Sequence, residues 1–195
     1  MAKIHAGATL TPGFREFLPP WVARQPWYRG AGVPALAPIG FFRFEDPAGE
    51  VGLETHLLAD GPDLYHVPMT YRGAPLAGAA PDALVSTTEH SVLGTRWIYD
   101  AEADPVWRDR VLDLVRTGGV ADPAGRRGVG PAGARGERLG PVPDGARVEP
   151  VRLPVPGAPD PGPDVIGLLV GTWCPGGPDG GAVSGHLAVV RRGPV

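Results

Sequence analysis

The sequence predicts an α+β fold, an antiparallel β-sheet packed on one or two helices and followed by a β-rich C-terminal segment. Three observations predict it. From Leu36 to Arg72 apolar and polar residues alternate with a period of two, as strands covered on one face require. The separators Asp46-Pro-Ala-Gly and Asp60-Gly-Pro-Asp are turn chemistry. Beyond Asp104 the apolar period lengthens to that of a helix.

Taken in order, Phe14, Phe17, Leu18 and Trp21 stand at one-face helical spacing, but Pro19 and Pro20 interrupt them, so two short turns are expected rather than one helix. Three strands follow, in GFFRFED, EVGLETHLLAD and LYHVPMTYR. In the second, Val51, Leu53, Thr55 and Leu57 share one face, with Glu50, Glu54 and His56 on a solvated one. Residues 87–91 read as a polar loop, in which threonine hydroxyls and Glu89 satisfy backbone groups and His90 caps a turn. The run TRWIYD is a further strand. Asp104 is a good N-cap with Pro105 at the first helical position, and Trp107, Val111, Leu114 and Val115 form an apolar stripe that Gly118 and Gly119 end.

Residues 119–146 are rich in Gly, Pro and Arg and carry few bulky apolar side chains, so a flexible linker is expected there. Residues 147–195 then hold three candidate strands, which either complete the first domain, residues 1–118, or form a small sheet of their own.

The composition bounds the function. With 30 glycines and 25 prolines among 195 residues, part of the chain is expected not to fold. A net charge of −3 gives no handle on a nucleic acid. The sequence has no apolar leader and no run of about 18 apolar residues, so a cytoplasmic protein without membrane insertion is expected. Cys174 is the sole cysteine, which excludes an internal disulfide, and a buried or merely incidental thiol is expected there rather than a nucleophile.

Catalytic chemistry finds little to work with. Glu89 and His90 are adjacent, so on extended backbone they point to opposite faces and need not cooperate as acid and base. Ser184 is one position late for a G-x-S-x-G elbow. The histidines at 5, 56, 66, 90 and 186 form neither H-x-x-x-H nor H-E-x-x-H, so no metal site is expected. Lys3 is the only lysine, and no P-loop or His-x-Asp loop occurs, so no nucleotide site can be assembled. No cofactor is called for.

Three stretches carry a family resemblance: PPWVARQPWYRGAG at 19–32, YHVPMTYRGAPLAG at 65–78, and TTEHSVLGTRWIYDAEADPV at 87–106. In this order and spacing the chain resembles the N-terminal cap of actinobacterial maltokinases, above all stand-alone cap-like proteins, over most of residues 15–118. Pro26 and Ala31 depart from it, standing in a segment where the family tends to carry Arg and Lys. The resemblance implies a cystatin- or monellin-like curved sheet against a helix. It also implies a non-catalytic accessory or regulatory module partnering an enzyme of α-glucan, maltose or trehalose metabolism. The family's catalytic motifs are not found in the sequence, so no catalytic residue carries over. The candidate contact surface is Trp27, Tyr28 and Arg29 with Thr88, Glu89, His90 and Arg96, since aromatic and Arg side chains give large contact area and directed hydrogen bonds. The alternative is a carbohydrate-binding module in which Trp27, Trp97 or Trp173 stacks on an oligosaccharide. A sugar kinase or glucan-modifying enzyme is the third and weakest reading.

Overall fold

The computed structural model describes residues 7–123, 129–157 and 159–193, so Lys3 and His5 lie outside the described residues. A short strand β1 (Leu10–Thr11) leads into helix α1 (Phe14–Val22), and a meander follows: β2 (Ala37–Phe44), β3 (Gly52–Asp60) and β4 (Asp63–Arg72). A hairpin of β5 (Leu84–His90) and β6 (Gly94–Asp100) precedes helix α2 (Pro105–Thr117) and the two-residue β7 (Asp122–Pro123). Four more strands complete the chain: β8 (Gly133–Arg138), β9 (Arg147–Pro150), β10 (Val165–Trp173) and β11 (Val183–Arg191). They form two wholly antiparallel sheets, a curved seven-stranded one in the order β1-β5-β6-β4-β3-β2-β7 and a four-stranded one in the order β8-β10-β11-β9. The fold is α+β.

Helix α2 is built as its sequence requires. The Asp104 carboxylate accepts from Val106 N at 3.0 Å, and Gly118 closes the helix at φ 68°, a left-handed conformation that Gly adopts without strain. Its apolar stripe of Trp107, Val111, Leu114 and Val115 is buried in a core that joins Phe42, Leu53 and Leu57 of the first sheet to Leu169 and Leu187 of the second. Two glycines let the helix come close to the second sheet. A Cβ on Gly136 would lie 2.0 Å from Leu114 O, and one on Gly167 2.3 Å from Val115 Cγ1.

The structure departs from four expectations. First, Pro19 and Pro20 do not divide α1, which runs unbroken over nine residues. The two backbone bonds they forgo are offset by burial of Phe17, Leu18, Trp21 and Val22 against Leu58, Tyr65, Val67 and Ile98. Second, that packing covers the other face of the first sheet, so His56 is 3% exposed instead of solvated. It lies between Phe14 and Phe41, with ring centroids 5.0 and 4.9 Å away. Third, residues 87–90 are not loop but the end of β5, paired with β6 in the register Thr88↔Arg96 and Glu89↔Thr95. Fourth, residues 119–146 contain β8, which pairs with β10, and β7, which pairs with β2.

That last stretch also stitches the two sheets together. Gly119 O accepts from Gly136 N at 2.9 Å and Ala121 N donates to Ala134 O at 2.7 Å, while the next two residues are β7 on the edge of β2. The small side chains that argued for a linker are what allow this close approach. Residues 124–128 of the stretch lie outside the described residues.

Candidate functional site

The second sheet reaches back to the first through the segment that follows β9. Strand β6 ends at Asp100, opposite Met69, so the edge of β4 beyond Met69 is left without it. Residues 151–157 run on from β9, and the first three of them take the vacant place. His66 N donates to Arg152 O at 2.8 Å, and Val151 N donates to Leu187 O of β11 at 2.8 Å, so this strap bridges both sheets. The His66 ring bonds Val151 O through Nδ1 at 3.2 Å. Burial, with the nearby Arg152 charge, pushes the His66 pKa down to about 3, so the ring is neutral at physiological pH.

Arg152 locks the strap in place. It is 8% exposed, and its Nη2 donates to Asp100 Oδ2 at 2.6 Å and to Glu102 Oε2 at 2.7 Å. Its Cζ stands 5.3 Å from the Trp27 ring centroid, within cation–π range. Burial raises the Asp100 carboxyl above its ordinary value, against the pull of Arg152. A second pair stands one turn on, where Arg72 grips Asp104 with both arms at 2.6 and 2.7 Å. Burial works to raise the Asp104 carboxyl, but the paired bonds from Arg72, with that from Val106 N, outweigh it and hold the group below its ordinary value.

The candidate surface residues fall into two separate groups. Trp27 is half-buried, tilted against Trp21 and Tyr65 at 5.8 and 5.9 Å with Arg152 over it, so it is a core residue more than a contact. The Tyr28 hydroxyl donates to Asp60 Oδ2 at 2.8 Å, and partial burial with this bond pushes its pKa up to about 12. Arg29 is open, its side chain 67% exposed and its Nη1 3.9 Å from Asp63 Oδ1.

Arg96 lies near Gly73, beyond the far end of β4 and roughly 25 Å along the strand from Tyr65. Around it stands the second group. Thr88 is buried, its hydroxyl donating to Pro12 O at 2.8 Å. Glu89 accepts from the Thr95 hydroxyl at 2.6 Å. His90 Nδ1 accepts from Val92 N and Leu93 N at 3.1 and 3.2 Å, as the capping reading expects. Ser91 and Thr9 exchange two further bonds, each 3.0 Å. The hairpin tip is thus held rigidly, and it presents Val92, 58% exposed, and Leu93, 44% exposed. These two apolar residues were missed in the sequence, although their place between His90 and a turn glycine, Gly94 at φ 71°, marks a hairpin tip.

Of the tryptophans considered for stacking, Trp173 is 1% exposed. Cys174 is buried. Among the described residues, no three of His, Cys, Asp and Glu come together in a way that holds a metal ion. No helix of the described residues is long and apolar enough to cross a membrane.

A curved antiparallel sheet carrying one helix on a face and followed by a second helix defines a cap-type α+β module. The comparison with known families agrees: residues 21–104, from within α1 to the N-cap of α2, match the model of the maltokinase N-terminal cap domain. Over that segment, a little under half of the chain, this protein is similar to the cap domain of that family. The second sheet lies outside the match. No curated protein matches the chain.

Proposed function

We propose that this protein is a non-catalytic accessory module of the cytoplasm that docks on an enzyme of α-glucan, maltose or trehalose metabolism through the tip of the β5–β6 hairpin. The similarity of residues 21–104 to the maltokinase cap domain supports the metabolic setting. The carrying observation is the tip itself, two adjacent apolar side chains exposed on a turn that four backbone-anchored hydrogen bonds hold in one shape. Apolar side chains on a rigid support lose little entropy on binding, which favours a protein partner with an apolar pocket. Glu89, His90 and Arg96 supply a polar rim.

The test is direct binding of the purified protein to a maltokinase, a trehalose synthase and a glucan-branching enzyme, each immobilised in turn. Saturable association with one of them is expected. The double variant Val92→Ser/Leu93→Ser removes about 1.5–3 kcal/mol of burial and weakens association roughly 10- to 100-fold without changing the melting temperature. Failure of all three enzymes to associate, or a double variant that binds like the original, refutes the reading.

A further inference from the structure

A cleft of about 370 Å³ opens where the two sheets meet, between the β3–β4 turn and the strap. Neither group of candidate surface residues predicted it, although Arg29 stands at its mouth. Its walls are apolar and come from both halves of the molecule: Ile39 and Leu64 from the cap sheet, Leu153 and Pro154 from the strap, and Trp173 from β10. The strap is seated firmly on the second sheet, since Gly157 N donates to Ser184 O at 2.9 Å and a Cβ on Gly185 would lie 2.4 Å from Val155 O. Val155 lines the same cleft and is 51% exposed, an apolar surface that an occupant would cover.

We propose that this cleft binds a small, neutral, hydroxyl-bearing ring compound, a monosaccharide or disaccharide. The volume falls at the lower end of the range for small-molecule sites and suits one or two rings. The polar groups at the mouth select the charge. Arg29 and Asp63 face each other at 3.9 Å, too far for a charge-assisted hydrogen bond, with side chains 67% and 31% exposed. Among the described residues, Asp63 has one other side-chain partner, the Tyr65 hydroxyl at 3.5 Å.

Guanidinium donors and carboxylate acceptors are therefore largely unspent and adjacent. An anion would gain Arg29 and meet repulsion from Asp63, and a cation would meet the reverse. A pair of neighbouring hydroxyls satisfies both, accepting from Arg29 while donating to Asp63. The CH face of such a ring packs on the leucine and proline walls, and prolines at 62, 154 and 156 hold those walls in shape before the ligand arrives. This site is independent of the hairpin tip and stands or falls without it.

The experiment is calorimetric titration of the whole chain with glucose, maltose and trehalose, with glucose 6-phosphate and glucosamine as charged counterparts. Saturable binding of at least one neutral sugar is expected, tenfold or more tighter than either charged compound. Arg29→Ala and Asp63→Asn each weaken it at least tenfold at unchanged melting temperature, while Val92→Ser/Leu93→Ser binds sugar as the original does. Absence of saturable heat with every neutral sugar up to tens of millimolar, or full affinity in the Arg29 and Asp63 variants, overturns the proposal. If only the phosphorylated sugar binds, the charge argument is wrong and the proposal fails with it.

Discussion

Replacing Arg152 by Met tests whether the strap is what joins the two sheets. Methionine fills much of the same space with apolar atoms but leaves Asp100 buried without its partner. The Arg152 and Asp100 side chains are 8% and 12% exposed, so removing one partner of this pair costs about 3–5 kcal/mol. The arm to Glu102 adds less than about 1 kcal/mol, because that carboxylate is 54% exposed and screened by water. The loss of the guanidinium over Trp27 adds about 0.5–2 kcal/mol. For a chain of this size each kcal/mol lowers the melting temperature by about 2–4 °C, so the pair alone predicts a drop of about 6–20 °C. Urea denaturation and calorimetry at pH 7 measure it, with Asp100→Asn and the double variant completing a cycle. The double variant should be less harmful than the sum of the singles by about 1–3 kcal/mol. A loss below about 1 kcal/mol for Arg152→Met, or strict additivity, would refute the clamp.

Three further outcomes follow from the geometry. His66 is neutral in the folded protein down to about pH 3 but protonates near 6.5 when unfolded, so the unfolded chain binds more protons between these values. Its contribution is complete above about pH 6.5 and is lost on acidification at up to about 1.4 kcal/mol per pH unit; His66→Gln should flatten that slope in urea titrations at pH 4–7, and an unchanged slope would show that the ring titrates normally. Asp104→Ala removes the α2 cap, worth about 1 kcal/mol, and strands Arg72, whose side chain is 21% exposed, so a total near 3–4 kcal/mol is expected at pH 7; a loss under about 1 kcal/mol would discount both roles. Gly136→Ala forces α2 away from the second sheet at a cost of about 1–3 kcal/mol, whereas Gly133→Ala, with open space at its Cβ, stays within about 0.5 kcal/mol; equal effects of the two would contradict the close approach at Gly136.

The sequence by itself determined the parts governed by short-range rules. Alternation over residues 36–72 marked the meander, and Asp104, Pro105 and Gly118 marked both ends of α2, because capping and turn conformations depend on residues only a few positions apart. The strands β9, β10 and β11 were legible for the same reason, and so was the cap-like character of the first sheet, since its motifs are contiguous in the chain.

Only the tertiary structure decided how α1, β8 and the strap behave. Local propensity opposed a helix through Pro19 and Pro20 and a strand through Gly133 to Arg138, yet burial and pairing with distant residues outweighed it. Thr88 and His56 read as surface groups until α1 and its preceding strand covered them. Arg152 gave no local sign of its role, since its partners Asp100 and Glu102 are about fifty residues away and meet it only because β6 stops at Asp100 and leaves the edge of β4 open. The cleft beside it has walls from both sheets, so no single stretch of sequence encodes it.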